Sequence, residues 1–337
     1  GGCMRLGRQD EADVESWLRY WGTASVFGPD FSLSEPAEGF RQTRRIEGDR
    51  EIIESESGAV VSQVIDNDIT YSMPEFLAYP VRDRESWEFY RLRTTPPGYR
   101  PVSEFEDRCV ALADRDRPLA VFVGGIYGWL RGILGPERLS LMMYDDPELI
   151  HDMAAWRLEY ARRATLPLVE RLKPETVLMG EDLCYNHGML LSPVQFRRFC
   201  GEYYRTVCDA ARSAEVDLIG VDSDGNVMEF VDVAAEYGVN GFFPCEVKAG
   251  NDLFELRRRH PRAVFFGWLE KECVNEGNED LIGPEILSKV PELMPPGGYF
   301  PNGDHGIQPL ATFDNLRRFM TLLHEVTGNP EGEFPRT

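Results

Sequence analysis

The sequence is short of basic residues and of long apolar runs, and each shortage excludes a class of protein. Among 337 residues, 36 Lys and Arg stand against 57 Asp and Glu, which gives a formal net charge of -21. Such a surface repels phosphate groups, so we expect neither nucleic acid nor an anionic membrane as a partner. The sequence also lacks an apolar run of about 18 residues, the length that a membrane-spanning helix needs.

Paired cysteines and a dinucleotide-binding loop are missing as well. The 7 cysteines are scattered and form no Cys-x-x-Cys pair. This pattern indicates reduced thiols in the cytoplasm rather than a disulfide framework. No Gly-x-Gly-x-x-Gly motif follows a predicted strand, which disfavours a dinucleotide-binding sheet.

Short apolar runs alternate with amphipathic stretches from residue 118 onward. This alternation predicts six strand–helix units of a parallel α/β fold. Asp146 and Ser192-Pro193 are typical of helix starts. The predicted strands are residues 119–123, 176–179, 217–221, 241–243, 263–266 and 298–300.

The number of units favours a (β/α)₈ TIM barrel over an open doubly wound sheet, which is the alternative. We expect one barrel domain over residues 4–327, followed by a disordered tail at 328–337. The first 117 residues must then contain the remaining two strands. Residues 51–71 alternate as a β excursion does, with turns at Ser57-Gly58 and Asn67-Asp68.

Acidic residues follow five successive predicted strands. In a parallel barrel this position faces the catalytic mouth. Carboxylates crowded there need a bound cation or raised pKa values. The residues at this position are Glu181, Asp182, Asp222, Asp224, Glu246, Glu270 and Asp304, with His305 beside the last.

Three of these residues are candidates for catalysis and three for metal binding, with His305 in both sets. Glu181, Asp304 and His305 are the predicted catalytic groups. Asp222, Asp224 and His305 offer carboxylate and imidazole donors to a divalent metal. The alternatives are that the acids cap helices or form ion pairs with Lys248 or Lys271.

Large side chains after the strands are candidates for the substrate pocket. We expect Tyr127, Tyr185 and Trp268 to wall an apolar pocket, with Asn186 and Glu246 as its polar contacts. The alternative is that the aromatic rings fill the barrel core. We expect a small, partly aromatic or aliphatic substrate in such a pocket.

Six motifs occur in order along the chain: Gly124-Gly125-Ile126-Tyr127-Gly128, Met142-Met143-Tyr144-Asp145-Asp146-Pro147-Glu148-Leu149, Gly180-Glu181-Asp182, Leu191-Ser192-Pro193, Asp222-Ser223-Asp224-Gly225-Asn226 and Asp304-His305. Together they resemble the uroporphyrinogen decarboxylase superfamily, over roughly residues 70–327. The resemblance implies a TIM barrel, in agreement with the strand pattern. It also implies either a tetrapyrrole decarboxylase or a corrinoid-dependent methyltransferase.

The two branches of the superfamily imply different chemistry. The decarboxylases carry a His in the place of His305. The methyltransferases that act on coenzyme M hold zinc with a His-x-Cys pair and a later Cys, and the matching positions here are Asp222, Asp224 and His305. A donor set without thiolates suits activation of an oxygen or nitrogen atom rather than a thiol.

The resemblance to the methyltransferases leads us to expect methyl transfer from a small O- or N-methyl substrate to a corrinoid carried by a partner protein. A divalent metal, with zinc as the first choice, would assist. A decarboxylase or other lyase that uses His305 is the second hypothesis, and a non-catalytic binding barrel is the third. A homodimer is compatible with the sequence.

Overall fold

The computed structural model describes residue 20, residues 42–55, 58–65 and 74–94, residues 110, 112 and 115, and residues 118–329. The N-terminal part forms an antiparallel sheet in the order β1 (Thr43–Glu47), β2 (Arg50–Glu54), β3 (Val60–Val64) and β4 (Glu75–Ala78). β2 and β3 confirm the predicted β excursion. The predicted turn at 67–68 and residues 330–337 of the predicted tail lie outside the described residues.

A six-stranded parallel sheet forms the main body and confirms all six predicted strands. Its order is β12-β11-β10-β9-β6-β5, and each neighbouring pair is parallel. A small hairpin, β7 and β8, stands apart from it. The strands are β5 (Ala120–Phe122), β6 (Thr176–Gly180), β7 (Cys184–Tyr185), β8 (Gly188–Met189), β9 (Leu218–Asp222), β10 (Gly241–Phe243), β11 (Val264–Leu269) and β12 (Tyr299–Gly303).

Helices connect the strands, and two of them begin at the predicted capping residues Asp146 and Ser192. The side chains of Asp146, Ser192 and Thr312 accept hydrogen bonds from backbone N–H groups of the first turns that follow. The helices are α1 (Arg84–Thr94), α2 (Tyr127–Leu134), α3 (Pro136–Asp145), α4 (Pro147–Ala164), α5 (Leu166–Leu172), α6 (Pro193–Phe199), α7 (Gly201–Ser213), α8 (Met228–Ala235), α9 (Leu253–Arg259), α10 (Ile282–Leu287), α11 (Val290–Leu293) and α12 (Phe313–Thr327).

One face of the parallel sheet packs against the helices and forms the core. Phe242 and Phe265 are buried there, and the Arg257 guanidinium of α9 lies over the Phe265 ring. Within the described residues β5 and β12 are the edges of this sheet, and no further parallel strand is seen there. No helix in the same part of the chain is both long and apolar enough to cross a membrane.

Candidate active site at the carboxyl ends of the strands

Three aspartates meet at the carboxyl end of the sheet. Asp222 is the last residue of β9, Asp224 follows it, and Asp182 follows β6, the neighbouring strand. One carboxylate oxygen of each lies within 4.8 Å of the others, and all three side chains are half-buried. We call these three residues the carboxylate cluster. Such a group of oxygen donors is able to hold a metal ion.

Two of the three aspartates have a basic partner. Arg131 of α2 lies 2.6 Å from Asp182, measured from Nη2 to Oδ2. Nε2 of His305 lies 3.4 Å from Oδ2 of Asp224. In the described part of the chain, no basic side chain forms an ion pair with Asp222. Asp222 is therefore the carboxyl group whose charge has least compensation.

The surroundings of Asp222 change its acidity. Burial, followed by repulsion from Asp182 and Asp224, raises the pKa of Asp222 to about 7, although His305 acts in the opposite direction. The hydrogen bond with Asp224 raises the pKa of His305. Near neutral pH the mouth therefore contains one carboxyl group that exchanges its proton readily.

His305 lies beside the carboxylate cluster and not within it. Its Nδ1 lies 2.8 Å from the Gly306 backbone nitrogen, and its Nε2 points to Asp224. Asp182, in contrast, joins Asp222 and Asp224 in the group of oxygen donors that could hold a metal ion. The coordination of a metal by His305 stays a prediction.

The contact between His305 and Asp224 also reports the curvature of the sheet. Two strands separate β12 from β9. In a flat sheet these strands would lie about 14 Å apart, three times the usual spacing. A 3.4 Å contact between residues that follow them requires the carboxyl ends to curve towards each other, as they do in a barrel.

Glu181 faces the helices rather than the mouth. Its Oε1 accepts from Ile126 N at 3.0 Å, and its Oε2 accepts from Gly128 N at 2.7 Å. Oε1 also accepts from the Tyr204 hydroxyl at 3.0 Å, and the residue is 1% exposed. Glu181 thus caps α2 from another unit, which is the alternative role for such an acid. The prediction that it acts at the mouth is corrected, since both its oxygens are engaged.

The approach of Glu181 to α2 explains a glycine of the first motif. A Cβ atom at Gly125 would lie 2.2 Å from the Gly180 carbonyl oxygen and 2.4 Å from the Glu181 carboxyl carbon. A larger residue at this position would push the carboxylate away from the helix N-terminus. The absence of a side chain at Gly125 therefore leaves room for the Glu181 carboxylate to cap α2.

A second group of charges lies nearby, and we call it the ion-paired group. Its members are Glu246, Lys248, Glu270, Lys271, Glu272 and Asp304. Asp304 is 1% exposed and accepts from Val247 N at 2.8 Å and from Lys271 N at 3.0 Å. Lys271 Nζ lies 3.6 Å from Glu246 and 3.9 Å from Asp304. Lys248 pairs with Glu270 and Glu272. Asp304 fastens two loops together, which corrects the prediction that it is directly catalytic.

The predicted pocket aromatics separate into two groups. Tyr127 and Trp268 are 2% and 6% exposed. The Trp268 indole donates to the Asn251 carbonyl at 2.8 Å and packs against Phe254 of α9. These two rings fill the layer between sheet and helices, so the prediction that they wall the pocket is corrected.

Tyr185 and Asn186 remain at the mouth. Both are exposed on the hairpin of β7 and β8. The Tyr185 carbonyl accepts from Asn226 N at 2.9 Å, which holds the hairpin next to the loop that carries Asp224. Their proposed contact with substrate stays a prediction.

Sequence reasoning misses Asp182 and Arg131 as parts of the site. Asp182 is visible as an acid after β6, but the prediction favours Glu181 beside it. Asp182 has a φ of 43°, a left-handed conformation that turns its side chain away from the direction that strand alternation predicts. Arg131 lies in the middle of α2 and has no sequence signal that separates it from a solvent-exposed arginine.

A parallel sheet whose carboxyl ends curve towards each other around polar side chains is typical of α/β-barrel enzymes. Within that class, the uroporphyrinogen decarboxylase (URO-D) family matches residues 63–326, and the chain belongs to this family. Its fold is a TIM barrel, and members of the superfamily are enzymes. The match includes all residues of the carboxylate cluster and the ion-paired group. No curated protein matches the chain.

Proposed function

We propose that the chain transfers a methyl group from a small O- or N-methyl substrate to a corrinoid bound by a partner protein. The observation that carries this proposal is the carboxylate cluster at the mouth, with His305 beside it. Three oxygen donors within 4.8 Å of one another suit a divalent cation. The hydrogen bond with Asp224 raises the pKa of the adjacent His305, and a protonated imidazole suits protonation of a leaving heteroatom.

The chemistry of the donors favours a hard cation. The cluster offers carboxylate oxygens and no thiolate, so Mg²⁺ or Mn²⁺ fits it better than the zinc suggested by the resemblance. Arg131 orients Asp182, and His305 orients Asp224, so two of the ligands are fixed before any ion arrives. A cation held there would polarise the oxygen or nitrogen that leaves the methyl group.

The corrinoid is the second substrate of the proposed step. The bond between the substrate heteroatom and the methyl carbon breaks. The methyl carbon bonds to the cobalt, which supplies the electron pair. The heteroatom takes a proton, and the Nε2–H of His305 is placed to donate it. General acid help of this kind contributes about 10²- to 10⁴-fold to a rate.

The charges at the mouth disfavour a tetrapyrrole substrate. A porphyrinogen with many carboxylates needs basic side chains that are free to pair with it. Here Arg131 is engaged by Asp182, and Lys271 lies between Glu246 and Asp304. The family match keeps decarboxylation as the second candidate. In that case the protonated Asp222 would deliver a proton to the carbon that loses CO₂.

One experiment separates the two candidates. The full chain is loaded with Mn²⁺ and mixed with free cob(I)alamin and, in turn, small methyl ethers, methylamines and uroporphyrinogen. We expect methylcobalamin to form with at least one methyl compound, and no CO₂ to be released from uroporphyrinogen. Absorbance reports the cobalamin, and an isotope-labelled carboxyl group reports CO₂.

Asp224→Asn is the matched variant, and Glu272→Gln in the ion-paired group is its control. We expect the first to lose methyl transfer and the second to retain it. Release of CO₂ from uroporphyrinogen, or equal activity of both variants, would overturn the proposal.

A further inference from the structure

A row of phenylalanines continues the carboxylate cluster along the inner face of the sheet. Asp222 is the register partner of Phe243, and Phe266 is the partner of Phe300 on the next two strands. Side chains at paired positions of parallel strands point to the same face. The Phe266 and Phe300 rings are stacked at 4.7 Å, and Phe243 meets Phe266 edge-on at 5.7 Å.

A fourth ring extends this row on the other side of Asp222. A Cβ atom at Gly180 would lie 2.8 Å from Cζ of Phe122, so the Phe122 ring lies over that glycine. Gly180 is itself the register partner of Asp222. We call Phe122, Phe243, Phe266 and Phe300 the phenylalanine row.

The exposure of this row is unusual for a parallel sheet, which is normally covered on both faces. Phe122 is 62% exposed and Phe300 is 52% exposed. On the opposite face, Phe242 and Phe265 are 2% and 0% exposed. The interior of a TIM barrel is normally filled by packed side chains. Open phenylalanine faces next to a polar cluster are instead typical of a ligand pocket.

We propose that the phenylalanine row binds the ring of an aromatic methyl ether and presents the ether oxygen to the carboxylate cluster. This inference rests on the proposed methyl transfer and names its substrate class. A methoxyarene has a flat face for the row and an oxygen in the plane of the ring. Because Asp222 lies in the same row as the phenylalanines, a ring on the row places that oxygen at the cluster.

The geometry favours an aromatic ligand over an aliphatic one of equal size. Stacked and edge-to-face rings gain about 0.5–1.5 kcal/mol beyond the burial of their area, a gain of about two- to twelvefold in affinity. A saturated ring keeps the hydrophobic contribution and loses that gain. The acidic cluster also disfavours a ligand with a carboxylate next to its ether.

Binding of two matched ethers tests the proposal without any methyl acceptor. Methoxybenzene and methoxycyclohexane are titrated into the Mn²⁺-loaded full chain in a calorimeter. We expect methoxybenzene to bind at least threefold more tightly. Phe300→Leu should weaken methoxybenzene about three- to tenfold and leave methoxycyclohexane within twofold. Phe89→Leu, at an exposed phenylalanine of α1, should change neither affinity.

The alternative occupant of the row is a segment of this chain outside the described residues. In that case Phe300→Leu would lower the melting temperature by several degrees and leave both affinities unchanged. That result, or equal affinity for the two ethers, overturns the inference. If methoxybenzene binds as expected but no methylcobalamin forms, the proposed function fails and the aromatic pocket stands. Turnover of aliphatic ethers without methoxybenzene binding would support methyl transfer and overturn the aromatic pocket.

Discussion

The two charged groups at the mouth both contain several carboxylates, but they differ in how far basic side chains balance the negative charge. In the ion-paired group, Lys271 lies between Glu246 and Asp304, and backbone N–H groups occupy both oxygens of Asp304. In the carboxylate cluster, Asp222 has no basic partner among the described residues, and its pKa is raised to about 7. Paired charges hold loops together. A poorly compensated carboxylate instead raises the free energy of the folded protein, and a bound cation would lower it.

The largest effect that we expect comes from His305, which lies between the two groups. His305→Ala removes the proposed proton donor while the three aspartates stay in place. The rate of methyl transfer should fall about 10²- to 10⁴-fold. Affinity for Mn²⁺, measured by calorimetry, should change less than threefold, because the proposed ligands are the three aspartates. A tenfold loss of Mn²⁺ affinity would instead support coordination by His305.

The second prediction concerns metal affinity and the proton on Asp222. Asp222→Asn should weaken Mn²⁺ at least tenfold, which is about 1.4 kcal/mol. In the unsubstituted chain a proton competes with the cation below about pH 7. Affinity should therefore rise up to about tenfold per pH unit towards pH 7 and then level off. A pH profile of Asp222→Asn that keeps the same slope would assign the proton to another group.

The same proton has an effect on the metal-free protein. Because the pKa of Asp222 is higher when folded than its ordinary value, the folded chain binds this proton more tightly than the unfolded chain. The free energy of unfolding that Asp222 contributes is then greatest at low pH and declines as pH rises from about 4 to 7. Urea unfolding at several pH values should show a weaker decline in Asp222→Asn.

The smallest effect belongs to the ion-paired group. Lys271→Met removes the cation between Glu246 and Asp304 but leaves the backbone donors to Asp304 intact. We expect a loss of about 1 kcal/mol in the free energy of unfolding, measured in urea, and Mn²⁺ affinity within twofold. If Lys271→Met abolished Mn²⁺ binding, the two groups would be one site and the contrast between them would disappear.

The strands and helix starts could be predicted because their signals are local. The run at 241–243 and the Ser192-Pro193 start each depend on a few adjacent residues, and the structure confirms both. Phe242 and Phe243 show the limit of such signals. One ring is buried against the helices and the other faces the mouth, but the sequence alone does not reveal which direction belongs to which residue.

The composition of the site was harder to predict for a related reason. Glu181 and Asp182 are adjacent acids after the same strand, and backbone geometry decides which of them reaches the mouth. Their side chains point in different directions because N–H groups at the start of α2 bind the Glu181 carboxylate, whereas Arg131 binds the Asp182 carboxylate. These partners lie more than fifty residues away in sequence, so no local pattern contains the information.

The cap that Glu181 forms on α2 has a consequence for how the site meets its ligands. The helix start, the end of β6 and the Tyr204 hydroxyl are fastened to one buried carboxylate. Asp182 is the next residue, and Arg131 follows one turn into the same helix. Asp182 and Arg131 therefore lose their conformational entropy when the chain folds. Binding of an ion then costs little further entropy at these two side chains.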